Sequence, residues 1–226
     1  MVAQLDRRPK AVTLRAGVVG PARLPDPLPS LSGVVRKPPL GWRVRQTWKL
    51  LLDGSYLIPL VAKVARRLNV AVVYGSLYGR VVHADGSVTD YGLLGRRVVT
   101  DAGVNYLAAD MAGGSNDINL FKYHGYGTGT TAEAANQTAL VTELTTQYAT
   151  DSTRPTGSQS ATTNVYTTVA TLSPDSGGTI AITEHGLFTA TSAGTLWDRT
   201  VFSAVNLVAG SDSLQTTYAG TFPSGG

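Results

Sequence analysis

The sequence predicts a mainly β fold, an antiparallel β-sandwich with one or two short helices, led by an extended proline-rich N-terminal arm. Its Thr- and Gly-rich second half carries strand-length runs separated by Gly, Ser, Thr and Asn turns, the pattern of two stacked antiparallel sheets. Only 15% of the 226 residues are charged, against about a quarter in an average globular chain. Seven of the eleven prolines fall within residues 1–45. These observations divide the chain into an arm (1–45), an amphipathic helical linker (46–78), and a body (79–226) in which a β-hairpin and a helix lead into the sandwich.

In the arm, Pro9, Pro21, Pro25, Pro27, Pro29, Pro38 and Pro39 stand among small apolar and basic residues without a helical or strand period. Proline lacks an amide proton and pushes the preceding residue toward extended backbone. Leu24-Pro25-Asp26-Pro27-Leu28-Pro29 therefore favours polyproline II. The arm is also more apolar than a solvated linker, with Val18, Val19, Leu31, Val34, Val35, Leu40 and Trp42, so it is expected to dock on a partner.

In the linker, the clusters Trp48 to Leu52 and Tyr56 to Val64 are separated by the turn signal Asp53-Gly54. Leu57, Leu60, Val61, Val64 and Leu68 recur at helical spacing, with Lys63, Arg66 and Arg67 elsewhere on the wheel. Ser55 can cap this helix, and Pro59 is tolerated in its first turn. The apolar stripe is expected to pack on the body.

The body opens with a hairpin over Arg80 to Asp90, in which Asp85-Gly86 favours a type I′ turn. A helix follows, capped by Thr100 or Asp101, striped by Val104, Leu107, Ala108 and Met111, and stopped by Gly113-Gly114. The later strands are 164–172, 179–188, 194–204 and 213–222. In the last, Leu214, Thr216, Tyr218, Gly220 and Phe222 share one face, as in a sheet with one buried side.

Charge is distributed unevenly. Residues 1–100 carry 16 basic and 5 acidic side chains, and residues 101–226 carry 3 and 10. A basic front half calls for an acidic partner. The charges are interspersed with prolines and aliphatics and no recognition module accompanies them, which favours a protein surface over nucleic acid. With no cysteine, thiolate chemistry and disulfides are excluded. No secretory leader is expected at the N-terminus. The apolar stretch Tyr56 to Ala62 contains Pro59 and falls far short of the ~20 residues needed to cross a bilayer.

No catalytic constellation emerges. His83, His124 and His185 lack metal-ligand spacing. Glu184 and His185, adjacent on a strand, point to opposite faces and cannot act as an acid/base pair. The loop from His124 to Thr131 has neither a Gly-x-Gly-x-x-Gly pattern nor a following Lys, so it is no phosphate cradle. It reads as a crossover whose Thr130 or Thr131 caps a short helix, Ala132 to Ala135. Asp198-Arg199 reads as an ion pair or turn anchor in the sheet.

Several short segments occur in a fixed order: Val98-Val99-Thr100-Asp101-Ala102-Gly103-Val104-Asn105, Lys122-Tyr123-His124, Gly127-Thr128-Gly129-Thr130-Thr131-Ala132, Ile182-Thr183-Glu184-His185-Gly186-Leu187-Phe188, and Asp198-Arg199-Thr200-Val201-Phe202-Ser203. Through them, residues 79–222 resemble a family of small virion structural proteins of tailed bacteriophages, of capsid decoration, cement or fibre-like type. The resemblance implies a virion component with no cofactor and no catalysis. It does not cover residues 1–78.

A capsid cement or decoration protein on the exterior of the virion, assembled in the host cytoplasm, is the expected function. Its arm would lie across major capsid protein subunits, and copies would meet as homo-oligomers or lattice neighbours, with no membrane partner. The expected contact residues are Arg7, Arg8, Arg15, Arg36, Lys37 and Trp42. A tail, collar or head-fibre component contacting the host surface is the alternative.

Overall fold

The structure, a computed structural model, describes residues 34–68 and 72–222. The order is β1 (Val35–Arg36), α1 (Leu40–Leu52), α2 (Ile58–Arg67), β2 (Tyr74–Val82), β3 (Val88–Val98), α3 (Asp101–Met111), β4 (Tyr123–Gly127), β5 (Ser158–Thr162), β6 (Val165–Leu172), β7 (Thr179–Phe188), β8 (Leu196–Val208) and β9 (Ser213–Thr221). The chain is mainly β. One sheet has the order β1-β3-β2-β9-β6-β5 and the other β4-β7-β8. The short β1 pairs parallel to β3, and the other strand pairs are antiparallel.

Both sheets contribute to one core. Leu77, Leu94, Leu214 and Tyr218 from the first meet Ile182, Leu187, Trp197 and Val205 from the second. Strand β9 alternates as expected, with Leu214, Thr216 and Tyr218 buried. The expected strand over 179–188 coincides with β7, whereas β8 starts at Leu196 and runs on to Val208.

The hairpin between β2 and β3 is present with a different turn. A type I′ turn needs positive φ at both central residues. Here Gly86 has φ 75° and Asp85 does not share it. The amide of Gly86 donates to the carbonyl of His83, and that of His83 to the carbonyl of Ser87. The Asp85 carboxylate accepts from the Ser87 amide at 2.8 Å. That bond holds Asp85 outside the left-handed region and leaves Gly86 alone to make the reversal.

Thr100 caps α3, its hydroxyl oxygen accepting from the Gly103 amide at 3.1 Å. It also donates to the carbonyl of Leu196 at 2.7 Å. Removing this cap in Thr100→Ala is expected to destabilise the protein by ~1–2 kcal/mol, read as a shift in the urea midpoint. The expected stripe is only partly used, since Val104 and Met111 are exposed. Gly103 is turned inward, where a Cβ would lie 3.0 Å from the carbonyl oxygen of Trp197. The helix lies too close to β8 for larger side chains on that face.

Helix α1 starts at Leu40, so residues 40–45, expected in the arm, are helical. Residues 1–33 lie outside the described residues. Trp42, Gln46 and Leu50 form the buried stripe of α1. The indole of Trp42 donates to the carbonyl of Ser203 at 3.0 Å. The Gln46 side chain donates to the carbonyl of Leu94 at 2.6 Å and accepts from the amide of Ser203 at 2.9 Å. Leu94 is in β3 and Ser203 in β8, so one glutamine satisfies backbone groups of both sheets. This also masks strand edges that would otherwise offer unpaired hydrogen-bonding groups.

Helix α2 reverses one expectation. Its bulky stripe of Leu57, Leu60, Val61, Val64 and Leu68 is exposed, while Ala62 is buried and Ile58 and Ala65 are half-buried. Two periodic stripes coexist in this segment. The smaller faces inward; ahead of the helix, the Ser55 hydroxyl is bound by the Arg97 guanidinium at 2.8 Å.

Candidate functional site

The buried polar groups build the framework around the site. His124 on β4 and His185 on β7 lie ring to ring between the sheets, His124 Nδ1 being 2.9 Å from His185 Nε2. Hydrogen bonds to Thr216 at 3.2 Å and Thr168 at 3.2 Å tie His124 to the opposite sheet. Tyr126 adds a 2.7 Å bond to Thr216. Burial pushes the His124 ring down to about 3. His185 is held well below its ordinary value by burial and by the proximity of His124. Both are neutral at physiological pH and join the sheets.

Glu184 faces the other way, as alternation on the strand requires. It is fully buried and accepts from the amides of Gly129, Val141 and Thr142 at 3.0, 3.1 and 2.7 Å. Arg199 Nε donates to it at 2.8 Å. Nη2 lies 2.6 Å from the same carboxylate but off the hydrogen-bonding axis, so it contributes charge alone. A Cβ on Gly129 would stand 2.5 Å from Glu184 Oε1, so only glycine lets the carboxylate reach this backbone. The loop after β4 is thus pinned. The helix expected over 132–135 is absent, and Glu133 instead binds the Arg97 guanidinium at 2.6 Å.

The pairing expected at Asp198-Arg199 is also redirected. Arg199 turns to Glu184. Asp198 lies on the core side, where it accepts from the Thr200 hydroxyl at 3.1 Å and the Tyr218 hydroxyl at 3.5 Å. Burial pushes its carboxyl up to about 7. These groups are excluded from water, each no more than 2% exposed. Among the described residues no cluster of three or more His, Cys, Asp or Glu is arranged to hold a metal ion.

The accessible chemistry lies on the helices. Residues 34–68 contain eight basic residues and one acidic residue. The acid, Asp53, is occupied. Burial pushes its carboxyl up, but the hydrogen bond and charge of Arg97 and the amide of Ser55 outweigh this and hold it below its usual value. On α1, Val44, Trp48, Leu51 and Leu52 are exposed, Trp48 at 61% and Leu52 at 84%. Val44, Arg45, Trp48, Lys49, Leu52 and Asp53 line a shallow groove. The α2 stripe continues this apolar surface in sequence. Both helices thus expose bulky apolar side chains among basic residues.

Of the expected contact residues, Arg7, Arg8 and Arg15 lie outside the described residues. Arg36 and Lys37 are exposed just ahead of α1, with Arg36 3.4 Å from Asp85. Trp42 is corrected: it is a core residue, 6% exposed and edge-on to Tyr91. The groups missed in the sequence are Trp48 and the α2 stripe as surface. Their signal was a bulky apolar stripe lying beside a second periodic stripe of Ala62 and Ala65.

No family model matches this chain, and no curated protein does. Among the described residues no helix is long and apolar enough to cross a membrane. The exposed apolar residues of α1 and α2 are therefore read on their own chemistry.

Proposed function

We propose that the chain is a non-enzymatic structural protein of a tailed-phage virion, a cement or decoration protein. In this reading a β-sandwich with an extended N-terminal arm attaches across major capsid protein subunits on the shell exterior. The observation that carries the proposal is the set of bulky apolar side chains left exposed on α1 and α2 among basic residues. Large apolar side chains clustered at the surface of a helix are the mark of an interaction site. Its charge selects an acidic surface with an apolar groove. Apolar burial supplies affinity at ~25 cal/mol per Å², and the basic residues steer the encounter. Arg36 and Lys37, and beyond them Arg7, Arg8 and Arg15, extend the same sign of charge along the arm. Repetition over a symmetric lattice adds avidity.

Capsids assembled without this protein supply the test. Leu60 and Val64 are at least half exposed, so Leu60→Asp/Val64→Asp leaves the core intact. This variant is expected to bind capsids at least tenfold more weakly than the unaltered chain, and removal of residues 1–33 is expected to weaken binding separately. Unchanged affinity in the first variant would overturn the reading.

Strand β5, Ser158–Thr162, exposes all five of its residues at a sheet edge. Such a polar strip favours the alternative of a tail, collar or head-fibre component contacting the host. Copy number per virion separates the two. A cement protein is present at a number comparable to that of the shell subunit, and a tail component at about a dozen copies.

A further inference from the structure

Among the described residues, the outer edges of both sheets are capped or covered by other parts of the fold, with one exception. A sheet edge carries a row of backbone N–H and C=O groups aimed outward, and native proteins cover, charge or interrupt it. On β3, Gln46 donates to the carbonyl of Leu94, and the amide of Arg96 donates to the Ser55 hydroxyl. Beside it, β1 is two residues long and runs into Lys37, Pro38 and Pro39. On β4, the His124 amide donates to the carbonyl of Pro155 and the Tyr126 amide to the Tyr148 hydroxyl, both at 2.9 Å. On β8, the Ser203 amide donates to Gln46 and its carbonyl accepts from Trp42, while the Val201 amide donates to the Glu133 carboxylate. Further along β8, Val205 and Leu207 are buried.

Strand β5 is the exception. It ends its sheet and pairs only with β6. Thr162 and Val165 are partners across a two-residue turn, so Thr162, Ser160 and Ser158 exchange backbone hydrogen bonds with β6. The amides and carbonyls of Gln159 and Ala161 then point away from it. Gly157, next in this row, has its amide on the carbonyl of Lys122 at 2.7 Å. The open row is therefore Gln159 and Ala161, centred on Ser160. None of the usual guards of an edge stands here. β5 has no Lys, Pro or bulge, and all five of its residues are exposed. Residues 155–174 include no charged side chain.

We infer that β5 pairs antiparallel with β5 of a second copy of this chain, about a two-fold axis at Ser160. That register sets Gln159 opposite Ala161 of the other copy, and Ser158 opposite its Thr162. At Gln159 and Ala161 each copy both donates and accepts, so the open groups of both edges are satisfied together. The shortness of the row selects this partner. A longer strand from another protein would run onto the Thr163-Asn164 turn at one end and the occupied amide of Gly157 at the other, leaving groups of its own unpaired. β5 matches itself in length. Charge permits the contact as well, since the chain is basic overall but the hairpins that meet carry no charge. The contact is isologous, as in the commonest homo-oligomers, and makes the two six-stranded sheets continuous. It rests on neither reading of the function, involves neither α1 nor α2, and takes this edge out of contact with a host surface.

The chain has no cysteine, so single thiols report the register. Directly opposed residues have Cβ atoms ~4.5–5.5 Å apart, closest outside the hydrogen-bonded pairs, which a small shift brings within reach of a disulfide. Under mild oxidation, full-length Ser160→Cys is expected to form a disulfide-linked dimer at least tenfold faster than Ser211→Cys, a control in the exposed turn before β9. It should also outpace Ser158→Cys and Thr162→Cys, each ~14 Å from its own counterpart in this register. Ala161→Pro removes an amide that β6 does not use, a change edge strands tolerate, and should slow the cross-linking of Ser160→Cys at least tenfold. Ser158→Lys/Thr162→Lys sets like charges opposite each other and should do the same while leaving the pairing with β6 untouched, which keeps the test informative if the proline disturbs the hairpin. A disulfide no faster at Ser160 than at Ser211, one faster at Ser158 or Thr162, or one indifferent to the proline or the lysines would overturn the inference.

Discussion

Glu184→Ala is expected to lower the unfolding free energy by ~3–5 kcal/mol, the usual consequence of removing one partner of a buried ion pair. The substitution leaves the Arg199 guanidinium, 2% exposed, without its counter-charge. It also strips the amides of Gly129, Val141 and Thr142 of their acceptor. A loss of this size is a large fraction of the ~5–15 kcal/mol typical of a domain. Urea unfolding followed by tryptophan fluorescence measures it. The double variant Glu184→Leu/Arg199→Met should recover part of the loss by removing the stranded charge, but not all, since the three amides stay unpaired. A loss below 1 kcal/mol for Glu184→Ala would mean that the loop after β4 is held by something else.

Acid is expected to unfold the protein through its two core histidines. An unfolded histidine takes up a proton near pH 6.5, whereas His124 in the fold does so only near 3. Between these values the unfolded state binds more protons, so stability falls as pH falls, by ~1.4 kcal/mol per pH unit. His185, also held down, adds a second slope of the same sign. Asp198 acts oppositely. Its carboxyl, at about 7 in the fold against an ordinary 3.8, is protonated when folded and ionised when unfolded between those values. Its contribution therefore grows as pH falls from 7 toward 4 and is lost as pH rises through 7. The net expectation from pH 6.5 to 4 is a fall in stability with falling pH, because two histidine contributions of one sign oppose a single carboxyl contribution of the other. Asp198→Asn should steepen this fall, and His185→Gln should make it shallower. Unfolding titrations at half-unit steps of pH decide, and identical slopes in all three proteins would refute the assignment.

What was legible in the sequence follows from the range of the forces involved. The β7 and β9 strands, the β2–β3 hairpin and the Thr100 cap rest on neighbours a few residues apart, and they appear where local pattern places them. The histidine pair joins residues 61 apart in sequence, and no local spacing encodes that meeting. Glu184 and Arg199 are 15 apart, and their pairing depends on the register of β7 against β8. On α2 the sequence held two stripes, and choosing the bulkier as buried assumed an apolar surface beneath it. Instead the small side of the helix, with Ala62, is the one that is covered. Trp42 was read as an arm residue because proline dominates the segment before it, yet Pro39 stands where a helix can begin.

The glutamine at the centre of α1 has a mechanical consequence. A pull on the exposed side of that helix passes through Trp42 and Gln46 into Ser203 of one sheet and Leu94 of the other. Tension is divided between two layers from the outset, and neither can be peeled away first. Gln46→Leu would convert a shared anchorage into a single one, with Trp42 on Ser203 as the remaining tie.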